Sequence, residues 1–113
     1  MALGNLGDIC QVRGEHQSAI ACYEQVLKIA QDTGDQGMEA SALHKLGDVH
    51  KSLGSYQQAL HYIEQSLAIA KEKANFWATL VYYSDYRVIL SRRSAIKYNQ
   101  QHLALLQVDK NRS

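Results

Sequence analysis

The sequence predicts an all-α fold, built as an array of antiparallel helix pairs with about six helices. Two observations support this prediction: a segment that repeats with a 40-residue offset, and apolar residues at helical spacing within each copy. The chain contains no proline, which suits helices joined by short turns. A repeated unit of this length predicts a stacked array, and such arrays present binding surfaces rather than catalytic pockets.

The repeat covers residues 2–30, here called unit one, and residues 42–70, here called unit two. Roughly 13 of the 29 aligned positions are identical, far above chance for unrelated segments. The identical pairs are Ala2/Ala42, Leu3/Leu43, Leu6/Leu46, Gly7/Gly47, Asp8/Asp48, Gly14/Gly54, Gln17/Gln57, Ala19/Ala59, Glu24/Glu64, Gln25/Gln65, Leu27/Leu67, Ile29/Ile69 and Ala30/Ala70.

Each unit is predicted to be two helices. In unit one, the first helix runs to about Arg13, Gly14 ends it in the left-handed conformation, and the second helix covers about 16–31. In unit two, the first helix begins near Gln36 and Gly54 ends it.

Gly7 and Gly47 fall in the middle of predicted helices, where glycine is unfavourable by about 1 kcal/mol relative to alanine. We therefore expect close approach of the partner helix at these glycines, through Ala19 or Ala59.

A third, degenerate unit follows at offsets of about 37 and then 36 residues, and it too is predicted to hold two helices. Ser84 takes the place of Gly47, and the stretch 91–93 replaces the glycine between the helices. The short linker 73–75 leaves open a fusion of the second and third units into one longer helix. The prediction is a single array over 1–108, with repeats at about 1–35, 36–73 and 74–108, and a polar tail at 109–113. Helical pattern begins at once, which suggests a fragment or an uncapped array.

Composition excludes several classes of function. The formal net charge of +1 gives no attraction to nucleic acid, and no apolar run is long enough for a membrane span. The N-terminus lacks the features of a signal peptide, so we expect a soluble, cytoplasmic protein. Cys10 and Cys22 are expected to be small buried hydrophobes rather than metal ligands or a disulfide.

No enzyme motif occurs in the sequence, so neither catalysis nor a cofactor is expected. His44 and Asp48 lie four residues apart and could share a metal, but two ligands do not make a site. Aromatic residues gather near basic ones in the third unit. They are expected to fill its core rather than to bind nucleic acid. The aromatic residues are Phe76, Trp77, Tyr82, Tyr83 and Tyr86.

The Leu-Gly-Asp triplet, followed by G-x4-A and a spaced L-x-I-A ending, resembles the tetratricopeptide repeat. It is most similar to the 40-residue variety of spindle-orientation adaptors, kinesin light chains and bacterial arrays. The resemblance covers about residues 1–105 and implies a right-handed superhelical solenoid. The usual tryptophan is replaced by Leu3 and Leu43, and the usual terminal proline is absent. HEAT and armadillo arrays have a similar period but lack this signature.

The resemblance implies that the first helix of each repeat lines a concave groove that holds a peptide or helix of a protein partner. The polar residues of those helices are then the candidate partner-binding residues. Asn5 is the most suggestive, because its position often carries an asparagine whose amide binds a peptide backbone. The full set is Asn5, Asp8, Gln11, His44, Lys45, Asp48, Lys51, Tyr82 and Asp85.

Two alternatives remain open from the sequence. The row Asp8, Asp48 and Asp85 could bind basic groups of a partner, or Asp48 could pair locally with His44 and Lys51. The chain could also be a self-assembly module, forming homo-oligomers through exposed solenoid ends or through exchange of its final helices. A clamp for a C-terminal carboxylate is disfavoured because the acidic residues offset the lysines.

Overall fold

Five helices follow one another along the chain. The computed structural model describes the backbone of residues 2–112 and the side chains of residues 3–106. The helices are α1 (Ala2–Val12), α2 (His16–Thr33), α3 (Gln36–Ser52), α4 (Tyr56–Glu72) and α5 (Phe76–Arg112), and residues 2–112 contain no strand. Each helix packs against the next, so the predicted all-α array of helix pairs is confirmed.

The four turns that join these helices share one geometry. Gly14, Gly34 and Gly54 have φ of 78°, 72° and 79°, and Ala74 takes the same place with φ of 55°. After each of these residues a backbone N–H reaches back to the preceding helix, as in the bond from Ser55 N to His50 O at 2.9 Å. This is the Schellman arrangement, which satisfies the last carbonyl groups of a helix. The predicted stops at Gly14 and Gly54 are confirmed.

The mid-helix glycines lie where two helices touch. A Cβ atom built on Gly47 would come within 2.6 Å of the Ile63 side chain and 3.3 Å of the Ala59 carbonyl oxygen, which confirms the expected close approach. At Gly7 the neighbour is the ring of Tyr23, at 2.6 Å, rather than the expected Ala19. Tyr23 and Ile63 occupy the same position of the repeat, so the larger residue contacts the glycine in both units.

Burial of equivalent residues shows that the units stack. Leu46 and Val49 of α3 are fully buried, whereas their counterparts Leu6 and Ile9 of α1 are 49% and 50% exposed. The reason is that α3 lies between α2 and α4, while α1 packs mainly on α2. Stacking on a neighbouring unit therefore buries apolar residues that a helix pair at the end of the array leaves exposed.

The third unit differs from its prediction. It is one continuous helix of 37 residues, so the structure has five helices where the sequence predicted about six. The stretch Ser91–Arg93 contains no residue that favours the left-handed conformation, and the change of offset from 37 to 36 removes one residue from the turn. Helix propagation then continues past the missing turn. The backbone of residues 109–112 continues α5, and Ser113 lies outside the described residues.

A fusion of the second and third units does not occur. Helix α4 ends at Glu72 and α5 begins at Phe76, because Ala74 adopts positive φ and Asn75 caps the next helix. The Asn75 Oδ1 atom accepts a hydrogen bond from the Ala78 backbone N–H at 3.0 Å. Within the described part of the chain, no helix combines the length and the hydrophobicity that crossing a membrane requires.

Candidate partner-binding surface

The polar faces of α1 and α3 are joined by an ion pair. Lys45 Nζ lies 3.0 Å from Asp8 Oδ2, and the same ammonium group is 5.7 Å from the centre of the Tyr23 ring. The Tyr23 hydroxyl donates to Asp8 and also lies 3.2 Å from Gln11 Oε1. Three of the residues predicted to bind a partner, Asp8, Gln11 and Lys45, are therefore neighbours in one cluster.

Charge and burial oppose each other at Asp8. Burial alone would raise the pKa of its carboxyl group, but the Tyr23 hydrogen bond and the Lys45 ammonium group together hold that pKa below its ordinary value. Burial, aided by the carboxylate of Asp8, raises the pKa of the Tyr23 hydroxyl. Asp8 is thus an anion at neutral pH, and Tyr23 remains a hydrogen-bond donor.

A second cluster joins α3 to α5. His44 Nε2 is hydrogen-bonded to Asp85 Oδ2, and the His44 ring lies 4.8 Å, centre to centre, from the ring of Tyr82. On α3 itself, Asp48 lies 3.6 Å from Lys51 Nζ and 4.0 Å from His44 Nε2. Of the two alternatives that the sequence left open for Asp48, the structure shows the local pairing, and Asp85 of the neighbouring repeat contacts the same His44. Burial raises the pKa of the Tyr82 hydroxyl.

The same cluster could offer ligands to a metal ion. His44, Asp48 and Asp85 each present one donor atom, and these atoms lie within 4.8 Å of one another. The sequence indicated His44 and Asp48 only, because Asp85 lies in another helix and is brought close by the fold. A histidine with two carboxylates is a donor set for first-row metals, but hydrogen bonding and ion pairing within the cluster already account for its geometry.

The position that precedes the Leu-Gly pair carries a different residue in each repeat. Asn5 is exposed on α1, Lys45 is half-buried and paired with Asp8, and Tyr82 lies against His44. Asn5 is therefore the member of this row whose side chain faces solvent most fully, and an amide can both donate and accept.

Tyr23 was missed as a polar contributor by the sequence analysis, which assigned it to the apolar face of the second helix. Its ring is buried against Gly7, yet its hydroxyl emerges beside Asp8 and Gln11. Comparison of the two units offers a signal for this role. Unit two has Ile63 at the equivalent position, so Tyr23 differs from it by carrying a hydroxyl group that needs a hydrogen-bond partner.

The aromatic residues of the third unit do not all fill its core, contrary to the sequence prediction. Phe76, Trp77 and Tyr83 are 68%, 76% and 50% exposed. Tyr86 packs with Ile89 against α4, and Tyr82 against His44. Phe76 and Trp77 lie in the first turn of α5, and Tyr83 borders a shallow groove between α5 and α4. The cysteines match their prediction more closely, because both are free, Cys10 is buried and Cys22 is half-buried.

Stacked helix pairs, glycine-mediated contacts and a polar surface shared by α1, α3 and α5 define a helical-repeat scaffold. A family profile described as tetratricopeptide repeat matches residues 1–72. The chain belongs to the tetratricopeptide repeat family, whose members are generally protein–protein interaction modules and typically not enzymes. Comparison with curated proteins found no match.

Proposed function

We propose that this protein binds a peptide or helix of a protein partner in a groove lined by α1, α3 and α5. The observation that supports this proposal is the pair of contacts between repeats, Lys45 with Asp8 and His44 with Asp85. These contacts join the polar faces of the three first helices into one surface. A continuous surface along an array is what an extended ligand needs, because each repeat contributes a few contacts.

The charges of this surface suit a partner of mixed charge. Asp8, Asp48 and Asp85 face Lys45, Lys51 and His44, and all six are only partly buried. A partner lysine or arginine can replace an internal cation at an aspartate, and a partner carboxylate can do the same at a lysine. Such exchange favours specificity more than raw affinity. A largely balanced surface gives no support for nucleic acid as the partner.

The proposed activity is binding without catalysis or a cofactor, as is typical of the family. Its site of action is proposed to be the cytoplasm, which suits the two free cysteines because reducing compartments keep thiols unpaired.

The test uses peptides selected from a random displayed library on the immobilised full chain. The double variant Asn5→Ala/Asp48→Ala removes an amide and a carboxylate from the proposed groove. We expect it to weaken binding of the selected peptides at least about tenfold, measured by fluorescence anisotropy. Circular dichroism should show unchanged helical content.

A matched control removes the same chemical groups from the second helices. Gln25 and Glu64 are exposed on α2 and α4, so Gln25→Ala/Glu64→Ala should leave peptide affinity unchanged. Equal binding by the parent and the groove variant would refute the proposal, and so would loss of binding in the control alone.

A further inference from the structure

Among the helices of residues 2–112, none packs against one face of α5. Leu80, Tyr83, Ser84, Arg87, Val88 and Ser91 line a shallow groove along the N-terminal half of the helix. Leu80 is 47% exposed and Val88 is 42% exposed. The opposite face of the same half packs on α4 through Tyr86 and Ile89. In unit two, the equivalent open face of α3 is covered by α4, which contacts Gly47.

The segment that corresponds to α4 is the C-terminal half of α5. Residues 94–105 align with residues 58–69 at an offset of 36, which relates Ala95 to Ala59 and Leu103 to Leu67. Ala59 and Leu67 are buried in α4, whereas residues 91–106 are all exposed. Ile96, Leu103 and Leu106 among them are large apolar side chains that stay exposed and are not packed by any side chain described in residues 3–106.

The repeat alignment also predicts how the two halves would pair. Gly47 contacts Ile63 in unit two, and the corresponding residues of unit three are Ser84 and Asn99. Where unit two has a glycine against an isoleucine, unit three thus has a serine and an asparagine, which can hydrogen-bond to each other. The same antiparallel pairing places Leu80 opposite Leu103 and Val88 opposite Ala95.

One chain cannot make these contacts while α5 is continuous. Residues 84 and 99 are 15 positions apart on a single helix, a separation of about 22 Å. A second copy can make them, because the paired positions are symmetric about the point between Ser91 and Arg92. The C-terminal half of each α5 then covers the open face of the other.

We propose that this protein forms a two-fold symmetric dimer in which the C-terminal halves of the α5 helices are exchanged. Exchange of an identical element is a low-cost route to a dimer, because it reuses contacts that the fold already provides. The proposed interface lies at the end of the array, apart from the proposed groove. The dimer proposal therefore does not depend on whether the groove binds a peptide.

The first test measures mass by light scattering coupled to size exclusion over a wide concentration range. We expect the parent to have twice the chain mass of 12.7 kDa. Leu103→Asp should weaken the dimer at least about 100-fold, because it places a charge in the apolar contact with Leu80. Ala104→Asp is the control, because Ala104 is also exposed and its counterpart Ala68 is exposed on α4, away from the helix contact. A parent that stays monomeric, or equal effects of the two variants, would overturn the proposal.

The second test detects the pairing itself. In a background of Cys10→Ala and Cys22→Ala, the double variant Ser84→Cys/Asn99→Cys should oxidise to a disulfide-linked dimer on a non-reducing gel. The control Ser84→Cys/Lys97→Cys moves one thiol to the other side of the helix and should form far less of that product. A disulfide within one chain would show that α5 folds back on itself, and it would overturn the exchange, as would the absence of any disulfide.

A third variant restores the missing turn. Ser91→Gly with one serine inserted before Arg92 reproduces the spacing of Gly54 and Ser55 in unit two. This variant should be a monomer with a closed third helix pair. A dimer of undiminished stability would argue that the exposed faces have another role.

Discussion

Glycines in the two faithful repeats have two separate roles. Gly14 and Gly54 lie in open space but adopt positive φ, so a side chain there strains the backbone. Gly7 and Gly47 have ordinary helical backbones, but a Cβ atom there meets a packed side chain at 2.6 Å. These four glycines stand at two positions of the repeat, and the structure confirms the turn at one position and the close helix contact at the other.

Substitution of Gly47 should be strongly destabilising. Gly47→Leu forces α3 away from Ile63 and from the Ala59 carbonyl group, and overpacking of this kind is unfavourable by about 3 kcal/mol or more. Urea unfolding measures the loss. Gly4→Ala is the control, because nothing lies within 4 Å of the added Cβ, and it should stabilise α1 by about 0.5–1 kcal/mol. An equally stable Gly47→Leu variant would contradict the assigned helix contact.

Substitution of Ala74 by glycine should be stabilising, in contrast to substitution of Gly47. Ala74 is the one non-glycine residue with positive φ among the described residues, and it fills a place that glycine takes in the three preceding turns. Ala74→Gly should therefore raise the free energy of unfolding by about 1 kcal/mol, the strain that a Cβ atom causes in this conformation. Ala68→Gly, at an exposed helical position, should instead lower it by a similar amount. A loss of stability in Ala74→Gly would contradict the turn geometry.

At the scale of elements, α3 packs between α2 and α4, and His50 near its end lies against α4. Its ring stacks on Tyr62 of α4, with centres 5.4 Å apart, and its Nδ1 atom is buried without a hydrogen-bond partner. Burial lowers the pKa of His50 below 6.5, although the nearby Glu24 of α2 acts in the other direction.

Acid should therefore weaken the packing of α3. The unfolded chain takes up a proton at His50 before the folded chain does, so the free energy of unfolding falls as the pH drops below 6.5. Above that pH the contribution of His50 is fully present. His50→Gln should show a smaller loss of stability than the parent between about pH 7.5 and pH 5. His61→Gln is the exposed control and should follow the parent. Identical pH profiles for His50→Gln and the parent would contradict this assignment.

The sequence predicted the first four helices well, because left-handed glycines and apolar periodicity mark both units. Helix α3 begins at the predicted Gln36. The third unit was predicted less well, because its repeat pattern still looks like two helices while its turn residue is missing. At Ala74 the opposite occurs, because a turn forms although the sequence has no glycine there.

The candidate site was predictable only in part. Contacts within one helix, such as Asp48 with Lys51, follow from spacing alone. Contacts between repeats, Lys45 with Asp8 and His44 with Asp85, depend on how adjacent helices are rotated and shifted. The sequence identified these residues as one group by their shared helix faces, but it could not state which carboxylate meets which cation.

For the whole molecule, position within the array decides the environment of otherwise equivalent residues. Leu46 is fully buried while Leu6 is half exposed, and the difference comes from the number of neighbouring helices rather than from the sequence around them. The stability of each repeat therefore depends on the next, and the loss of a single contact such as Gly47 with Ile63 should affect both neighbours.

In the proposed dimer, the missing turn near Ser91 would also set how many binding grooves the molecule has. A chain with a closed third pair offers one groove, whereas two chains joined through α5 offer two, held apart by helices about 55 Å long. A partner with two matching segments at that span would bind the second groove at a high effective concentration and gain avidity without any new contact. In the proposed dimer, the absence of one turn glycine would thus turn a single proposed groove into a bivalent surface.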